Sequence, residues 1–452
     1  MIPACPRMLC LCALLAAAVP AVTRSQETAI VPTNAAGHRL ALTPRDAIAR
    51  ALSYSPVLRD ADEDVQAATW RRRQAEAQAH PVLDVRADAA HYEGIANTSL
   101  GPGLTLPEID NRYAASAGVT LPLLTGGRVP ALRDSAVWLQ EAARRTRQST
   151  HDEIARQASV AYWTWARAYG QADAALAAVR RMEAHAADLA SLRKAGLATE
   201  NDRLAAVVQL DQTRLKLADV KRQTEQALAD LALLTGPSLP SDREPLAPDT
   251  ESAEPLPELS SAVDRALTNR ADLAAARDTL QASRRQIAVA RADDRPQVAL
   301  AARYEEGRPN AVDFPPTDTW QDDGFVGATL RWNLWDGGLS RAKAGEARAR
   351  AAQAAFAVEQ ATDRIEWQVK TARISLASAL ERVAVARHAE ESASLNVKTA
   401  ADLWKNGLAR HSDVLDAEAR LTEAAFETIA TLTDVKIAQA QLRYATGTGS
   451  EP

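Results

Sequence analysis

The chain has 452 residues, with 53 basic and 58 acidic side chains and a formal net charge of −5. This length suits two or three ordinary domains, and the weakly acidic balance argues against a nucleic-acid partner. Its three cysteines, Cys5, Cys10 and Cys12, all lie near the N-terminus. The apolar run at 8–22 is about 15 residues long, shorter than the roughly 20 residues of a membrane-spanning helix.

We interpret residues 1–25 as a secretory signal peptide; the alternative, an N-terminal membrane anchor, is disfavoured by the short run. Cleavage leaves a chain of net charge about −7 without cysteine, and hence without disulfides or cysteine metal sites. The seven histidines show no metal-binding spacing and are expected to be solvated, and no nucleophile elbow or phosphate loop is present. We therefore predict no enzymatic activity, no cofactor and no metal. No other stretch is apolar over 18 residues, so no transmembrane helix is predicted.

An internal repeat is the most informative feature of the sequence. With an offset of 211 the matched segments are 194–198 with 405–409, Asp202 with Asp413, Gly126-Gly127 with Gly337-Gly338, and Thr235-Gly236 with Thr446-Gly447. Further upstream the offset becomes 215, so that Pro296 matches Pro81. The length difference of four residues falls between about residues 93 and 113, which marks a loop. A repeat this long indicates two copies of one structural unit.

The predicted domains follow from this repeat. They are the signal peptide (1–25), an extended N-terminal segment (26–41), repeat 1 (42–236), a proline-rich linker (237–258), repeat 2 (259–447) and a C-terminal tail (448–452).

Each repeat opens with a predicted helix, at about 47–79 and 262–294, which ends before Pro81 or Pro296. The hydrophobic period then changes to two, which predicts strands with one apolar and one wet face. The predicted strands are 82–92 and 113–124 in repeat 1, and 297–305 and 325–335 in repeat 2.

A double glycine follows each strand pair, and an unbroken helix of 66 residues is predicted after it, at 128–193 and 339–404. At 1.5 Å per residue each helix would be about 100 Å long. The chain then reverses at Gly196 or Gly407, and a helix with heptad spacing runs to Leu234 or Ala445. The predicted fold is mainly α, with two tandem repeats of helix, β-hairpin, long helix and helix.

The predicted strands raise a problem of closure. An apolar face that no helix covers would have to meet lipid, where every backbone group must be paired in a closed barrel. Four strands are fewer than the roughly eight that closure needs, so strands from several chains would have to combine. Aromatic residues near strand ends, such as Tyr113 and Trp332, fit an interfacial girdle, although ordinary strand packing also explains them. A periplasmic coiled-coil scaffold without transport activity is the alternative, but it would not need two amphipathic hairpins.

This order of elements resembles the TolC-like outer-membrane efflux proteins over about residues 42–447, and residues 407–417 resemble the helical-tip signature of that family. The resemblance implies a homotrimer in the lipid of the cell outer membrane, with a barrel of about twelve strands continued by an α-helical tunnel in the periplasm. It also implies a periplasmic adaptor (membrane fusion) protein and an inner-membrane pump of the RND, ABC or MFS type as partners. The substrate is left open between drugs, metals and secreted proteins.

The resemblance also implies two sets of site residues at the helical tips. Asp202, Asp413 and Asp416 would ring the periplasmic entrance and attract cations, with Trp404 as a plug. The alternatives are that the acids simply start helices favourably and that Trp404 packs in a coiled coil. The adaptor would dock at the tips, through Lys194, Gly196, Leu197, Lys405, Gly407 and Leu408.

The tip sequence departs from the family pattern at one position. Some members hold the closed entrance with an arginine two residues after the tip glycine, where this chain has Ala409 followed by Arg410. The contacts that lock the closed state are therefore expected to differ.

Overall fold

The computed structural model describes residues 41–93, 101, 109–196, 198–237, 244–248, 256–309 and 317–449. The first half contains α1 (Pro44–Tyr54), α2 (Pro56–Ala77), β1 (Val82–His91), β2 (Asn111–Thr125), α3 (Arg128–Lys194) and α4 (Glu200–Thr235). The second half contains α5 (Leu259–Asn269), α6 (Ala271–Ala290), β3 (Gln297–Arg308), β4 (Gln321–Arg331), α7 (Leu339–Lys405) and α8 (His411–Ala445). A search of the described helices found none with the length and apolarity needed to cross a membrane.

The long helices α3 and α7 have 67 residues each, about 100 Å at the standard rise. Helix α3 packs along α2, α4, α6 and α8, while α7 packs along α5, α6 and α8. The largest core cluster lies among α5, α6, α7 and α8 and includes Leu273, Ile365, Val369 and Leu442. Most other buried hydrophobic residues are alanines, whose small side chains let the helices approach closely.

The opening helix of each half is broken, where the sequence predicted a continuous one. In the first half the break is at Ser55, and Pro56 starts α2. In the second half it is at Arg270, without a proline. Arg270 is only 5% exposed, donates to both carboxylate oxygens of Asp272 at 2.9 and 2.7 Å, and lies over the Tyr444 ring at 4.6 Å. A proline accounts for the first break, and a buried guanidinium accounts for the second. The hydrophobic spacing in the sequence indicates neither break.

The strands form one antiparallel sheet in the order β1-β2-β3-β4, so β2 and β3 join the two halves. Strand β4 runs over Gln321–Arg331, not the predicted 325–335. The register explains the early end, because Arg331 pairs with Gln297, the first residue of β3, and no partner remains beyond it. Trp332 instead donates its ring N–H to the carbonyl oxygen of Asp294 at 3.2 Å. At the other end β3 continues to Arg308, beyond the predicted 305, because Arg308 pairs with Tyr113 of β2.

The register also assigns side chains to the two faces, because directly paired residues point to the same side. One face carries Leu83, Val85, Ala87, Ala115, Ala117, Val119, Leu300, Ala302, Tyr304, Val326, Ala328 and Leu330, and at the end of the sheet far from the long helices also Glu306, Arg308 and Asp322. The other carries Asp84, Arg86, Asp88, Ser116, Arg303, Glu305, Asp323 and, as an exception, Phe325. The apolar face is uncovered, with Val85 78% and Val326 86% exposed.

The joints between sheet and long helices use glycines with positive φ, 63° at Gly126 and 68° at the equivalent Gly337. These two sites differ in their surroundings. A Cβ at Gly126 would lie 2.5 Å from the carbonyl oxygen of Ala292, in the turn before β3, whereas a Cβ at Gly337 would meet nothing within 4 Å. The first joint is therefore packed against the second half, and the second joint is open.

We predict that Gly126→Ala destabilises the protein clearly more than Gly337→Ala. Both changes place a side chain at positive φ, at a cost of about 1 to 2 kcal/mol, but only the first adds a backbone clash. The measurement is the thermal unfolding midpoint of the purified variants in detergent. Equal midpoints would mean that the turn at Ala292 yields without cost.

Candidate functional site

The two helical tips have the same backbone construction. Helix α3 ends at Lys194 with Gly196 at φ 77°, and α7 ends at Lys405 with Gly407 at φ 73°. At the second tip the N–H of Gly407 donates to the carbonyl oxygen of Trp404 at 2.9 Å, and the next N–H donates back to Leu403 at 2.8 Å. This is the Schellman ending of a helix, in which glycine takes the left-handed position at little cost.

Five of the six predicted docking residues are described, and all five are exposed: Lys194, Gly196, Lys405, Gly407 and Leu408. Leu197 lies outside the described residues. A Cβ at Gly196 or Gly407 would meet nothing within 4 Å, and Leu408 is 75% exposed. Each tip therefore presents an open glycine with an exposed lysine beside it, and Leu408 adds an exposed apolar side chain at the second tip.

Two of the three predicted gate acids, Asp202 and Asp413, lie in the first turns of α4 and α8 and cap these helices. The carboxylate of Asp202 accepts from the N–H of Thr199 at 3.1 Å and from its hydroxyl at 2.6 Å. The carboxylate of Asp413 accepts from the N–H of Arg410 at 2.9 Å. Asp416 lies one turn further along α8 and is exposed. The hydrogen bond from the Thr199 hydroxyl lowers the pKa of Asp202, so this carboxylate stays ionised.

Trp404 does not stand free. It is partly buried, and its ring contacts His185 of α3 and His411 of α8 at centroid distances of 5.7 and 5.4 Å. The two imidazoles stack on each other at 4.9 Å with an interplanar angle of 26°. The sequence predicted solvated histidines, and for His411 this prediction was wrong, because its side chain is buried, with only 5% of the residue exposed. The two histidines are far apart in the sequence, so no spacing pattern could reveal their contact.

Polar contacts fasten α8 to the long helices above the tips. Arg181 of α3 donates to Glu418 of α8 at 2.9 Å. Arg167 of α3 donates to the Thr433 hydroxyl at 2.8 Å and forms an ion pair with Asp434. Arg382 of α7 donates to Asp434 at 3.4 Å and to Glu427 at 2.6 Å. Sequence patterns mark these residues only as exposed helix faces.

Metal chemistry has no site in the part of the chain that the structure describes. A search there found no group of three or more histidine, cysteine, aspartate or glutamate side chains placed to hold an ion.

Comparison with known proteins decides the family. The model of the outer membrane efflux protein family matches the chain over residues 47–237 and again over 262–448. The chain belongs to the outer membrane efflux protein family. This confirms the resemblance to TolC-like channels and the location in the outer membrane.

Individual relatives are moderately similar. The chain is 27% identical to the outer membrane protein OprJ of Pseudomonas aeruginosa over 396 residues, which cover 83% of this chain and 78% of OprJ. It is 32% identical to the outer membrane efflux protein BepC of Brucella suis over 213 residues, 45% of this chain and 43% of BepC.

Solved structures share the fold of this family member. A membrane protein from Pseudomonas aeruginosa superposes with a TM-score of 0.78 at 24% identity, covering 89% of this chain and 92% of that one. The structure of CusC superposes with a TM-score of 0.77 at 19% identity, covering 94% of this chain and 99% of CusC.

Proposed function

We propose that this outer membrane efflux protein is the channel of a tripartite efflux or secretion system. It would receive substrates from an inner-membrane pump of the RND, ABC or MFS type, through a periplasmic adaptor, and release them outside the cell. The observation that carries the proposal is the uncovered apolar face of the sheet, which lies at one end of helices about 100 Å long.

The sheet supports a trimer. Strands β1 and β4 lie at its edges, and within the described residues neither has a second strand partner in one chain. Pairing of β4 with β1 of the next chain would close a barrel, and three chains would supply about twelve strands, enough for an open lumen. The apolar face would then meet lipid, and the face with Asp84, Arg86 and Arg303 would line the lumen.

We also propose that the two halves are tandem repeats with the domain limits derived from the sequence, so that six long helices of a trimer form the periplasmic tunnel. The two separate matches of one family model support this division. A periplasmic scaffold without transport activity would leave the exposed apolar face without a purpose, and such faces cause aggregation in water.

We predict that Val326→Arg abolishes the trimer in the outer membrane and that Thr329→Arg is tolerated. The two residues lie on opposite faces of β4, and an arginine facing lipid near the bilayer centre costs about 2 to 4 kcal/mol per strand. The measurement is the amount of trimer extracted by detergent from outer-membrane fractions. A wild-type protein that purifies as a water-soluble monomer, or a normal yield of the Val326 variant, would contradict the barrel.

For the entrance, we propose that Asp202, Asp413 and Asp416 of three chains form a ring that attracts cations, with Trp404 beside it. The capping bonds of Asp202 and Asp413 do not remove the negative charge. They hold it at the helix start, where the helix dipole favours it.

We predict that Asp413→Asn/Asp416→Asn strongly weakens the block of single-channel conductance by multivalent cations added on the periplasmic side, because clustered carboxylates bind cations much better than isolated ones. The asparagine side chain keeps an oxygen that can accept from Arg410, so α8 keeps its cap. Asp363→Asn, an exposed acid midway along α7, is the control. If the block were unchanged in the double variant, these acids would serve only the structure of the helix and would not bind cations at the entrance.

For the adaptor, we propose docking at the tips through Lys194, Gly196, Leu197, Lys405, Gly407 and Leu408. A groove between α3, α4 and α8 continues from this end, lined by Met182, Lys216, Glu418, Phe426 and their neighbours. We propose that a helical hairpin of the adaptor packs against the three helices along this groove, with its side chains between theirs.

We predict that Gly407→Trp or Lys194→Glu/Lys405→Glu abolishes export while trimer formation stays normal, because the tips lie about 100 Å from the sheet. Export is measured as substrate accumulation in cells, and the trimer as detergent-extracted protein. Lys370→Glu, midway along α7, serves as the charge-reversal control. Full export by the tip variants would place the adaptor elsewhere.

A further inference from the structure

His185, Trp404 and His411 contact one another, and we call this cluster the histidine stack. It joins the helical hairpin of α3 and α4 to the helical hairpin of α7 and α8. His185 belongs to α3 of the first hairpin, whereas Trp404 and His411 belong to α7 and α8 of the second. Both ring nitrogens of His411 and Nε2 of His185 are buried and have no hydrogen-bond partner in the described part of the chain. Buried polar atoms normally find partners, so three unpaired ring nitrogens at one contact call for an explanation.

At the first tip an ion pair occupies the positions equivalent to the Trp404–His411 ring contact. An offset of 211 places Trp404 on Arg193 and His411 on Glu200. There Nε of Arg193 and a carboxylate oxygen of Glu200 form an ion pair at 2.5 Å. The hydrogen bond from Arg203 and the charge of Arg193 lower the pKa of Glu200. Glu200 therefore stays ionised near neutral pH, and its ion pair with Arg193 persists there. Among the described residues at the two tips, only the histidines of the histidine stack belong to a type whose ordinary pKa lies near neutrality.

Charged groups from each packed element face the histidine stack. Asp188 of α3 and Glu418 of α8 lie near His185, and Asp202 of α4 lies near His411. Helix α7 contributes the uncharged Trp404 ring.

Two of these acids are engaged elsewhere. Glu418 accepts from Arg181, and Asp202 accepts from Thr199. Arg181 offsets the attraction of Glu418 for an imidazolium. Asp202 keeps its charge, and its attraction opposes only part of the lowering of the pKa of His411 by burial. Burial lowers the pKa of both histidines, and the charge of His185 lowers that of His411 further.

We propose that the histidine stack is a proton-operated latch, which holds the α7–α8 hairpin against α3 when the imidazoles are neutral and releases it when they are protonated. Two imidazolium rings at 4.9 Å repel each other and lack buried hydrogen-bond acceptors, so the packed arrangement disfavours the charged form. Release would loosen the second tip while the ion pair keeps the first tip closed. The link from release to a wider entrance rests on the proposed channel function; the latch itself does not.

The sign of the pH dependence follows from linkage. A released, hydrated histidine titrates near 6.5, and the packed histidines titrate below that value. Above about pH 6.5 both forms are neutral, and packing keeps its full stability. As the pH falls below this value the released form binds protons that the packed form rejects, so the latch weakens towards acid. Ordinary carboxylates titrate near 4 and stay ionised at pH 5.5.

The first test is amide hydrogen exchange of the full-length protein in detergent at pH 7.5 and 5.5. His185→Phe/His411→Phe keeps two flat rings without a titrating proton, His185→Gln is a milder variant, and His388→Gln changes an exposed histidine of α7 as a control. At pH 5.5 we expect amides 404–417 of wild type and control to exchange about tenfold faster than those of the double variant. If release takes up one proton, the ratio of released to packed form rises about tenfold over the one pH unit from about 6.5 to 5.5. At pH 7.5 the variants should match. Equal exchange at pH 5.5 in wild type, double variant and His185→Gln would overturn the latch.

The second test separates the latch from the channel. Single-channel conductance should rise in wild type between pH 7.5 and 5.5, and this rise should be absent in the double variant. Absence of trimers and of conductance in every variant would reject the channel, while the exchange experiment would still decide the latch. A conductance rise of equal size in wild type and double variant would overturn the role of the histidine stack at the entrance.

Discussion

The apolar face of the four-stranded sheet is the constraint on which the rest of this structure depends. Apolar side chains of all four strands share one uncovered face, where charged residues occur only at the loop end of β3 and β4, while Asp84, Arg86 and Arg303 lie on the other face. In water such a face is unfavourable, and in lipid it is favourable only when no strand edge stays open. The constraint therefore fixes more than a location. If the face meets lipid, as we propose, it requires strands from additional chains, and the long helices would then be arranged around the axis of the assembled barrel.

The two halves show how one fold tolerates different local chemistry at equivalent positions. Their opening helices break at Ser55 and Arg270, the first through a proline and the second through a buried guanidinium. Their sheet-to-helix joints differ as well, with Gly126 crowded and Gly337 open. At the tips, the ion pair of Arg193 with Glu200 in the first half corresponds to the ring contact of Trp404 with His411 in the second. The helix breaks, the sheet-to-helix joints and the tips occur at equivalent positions in both halves. Their positions therefore follow from the packing geometry and not from a particular residue type.

The sequence predicted most of the fold because its signals are periodic and local. The helical period, the alternation in the strands and the glycines at positive φ can each be recognised within a few residues. Each pattern also occurs twice, once in each repeat, which strengthens the prediction. The end of β4 was misplaced because it depends on where its partner β3 begins, which is a property of the pairing and not of residues 332–335. The same holds for the histidine stack and for the ion pair of Arg181 with Glu418, whose members meet only after the hairpins pack.

The acids at the tips illustrate why structural and functional interpretations of one residue need not compete. A carboxylate at the third helical position accepts from the N–H of the cap residue with one oxygen and retains its full charge. The hydrogen bond from the Thr199 hydroxyl, together with the weaker one from the Thr199 N–H, lowers the pKa of Asp202 and favours its ionised form. The position at the helix start also favours a negative charge. Carboxylates gathered around a narrow entrance would otherwise raise each other's pKa by repulsion and partly lose their charge. Placing them at helix starts offsets that repulsion, so capping makes a charged ring at such an entrance less costly to maintain.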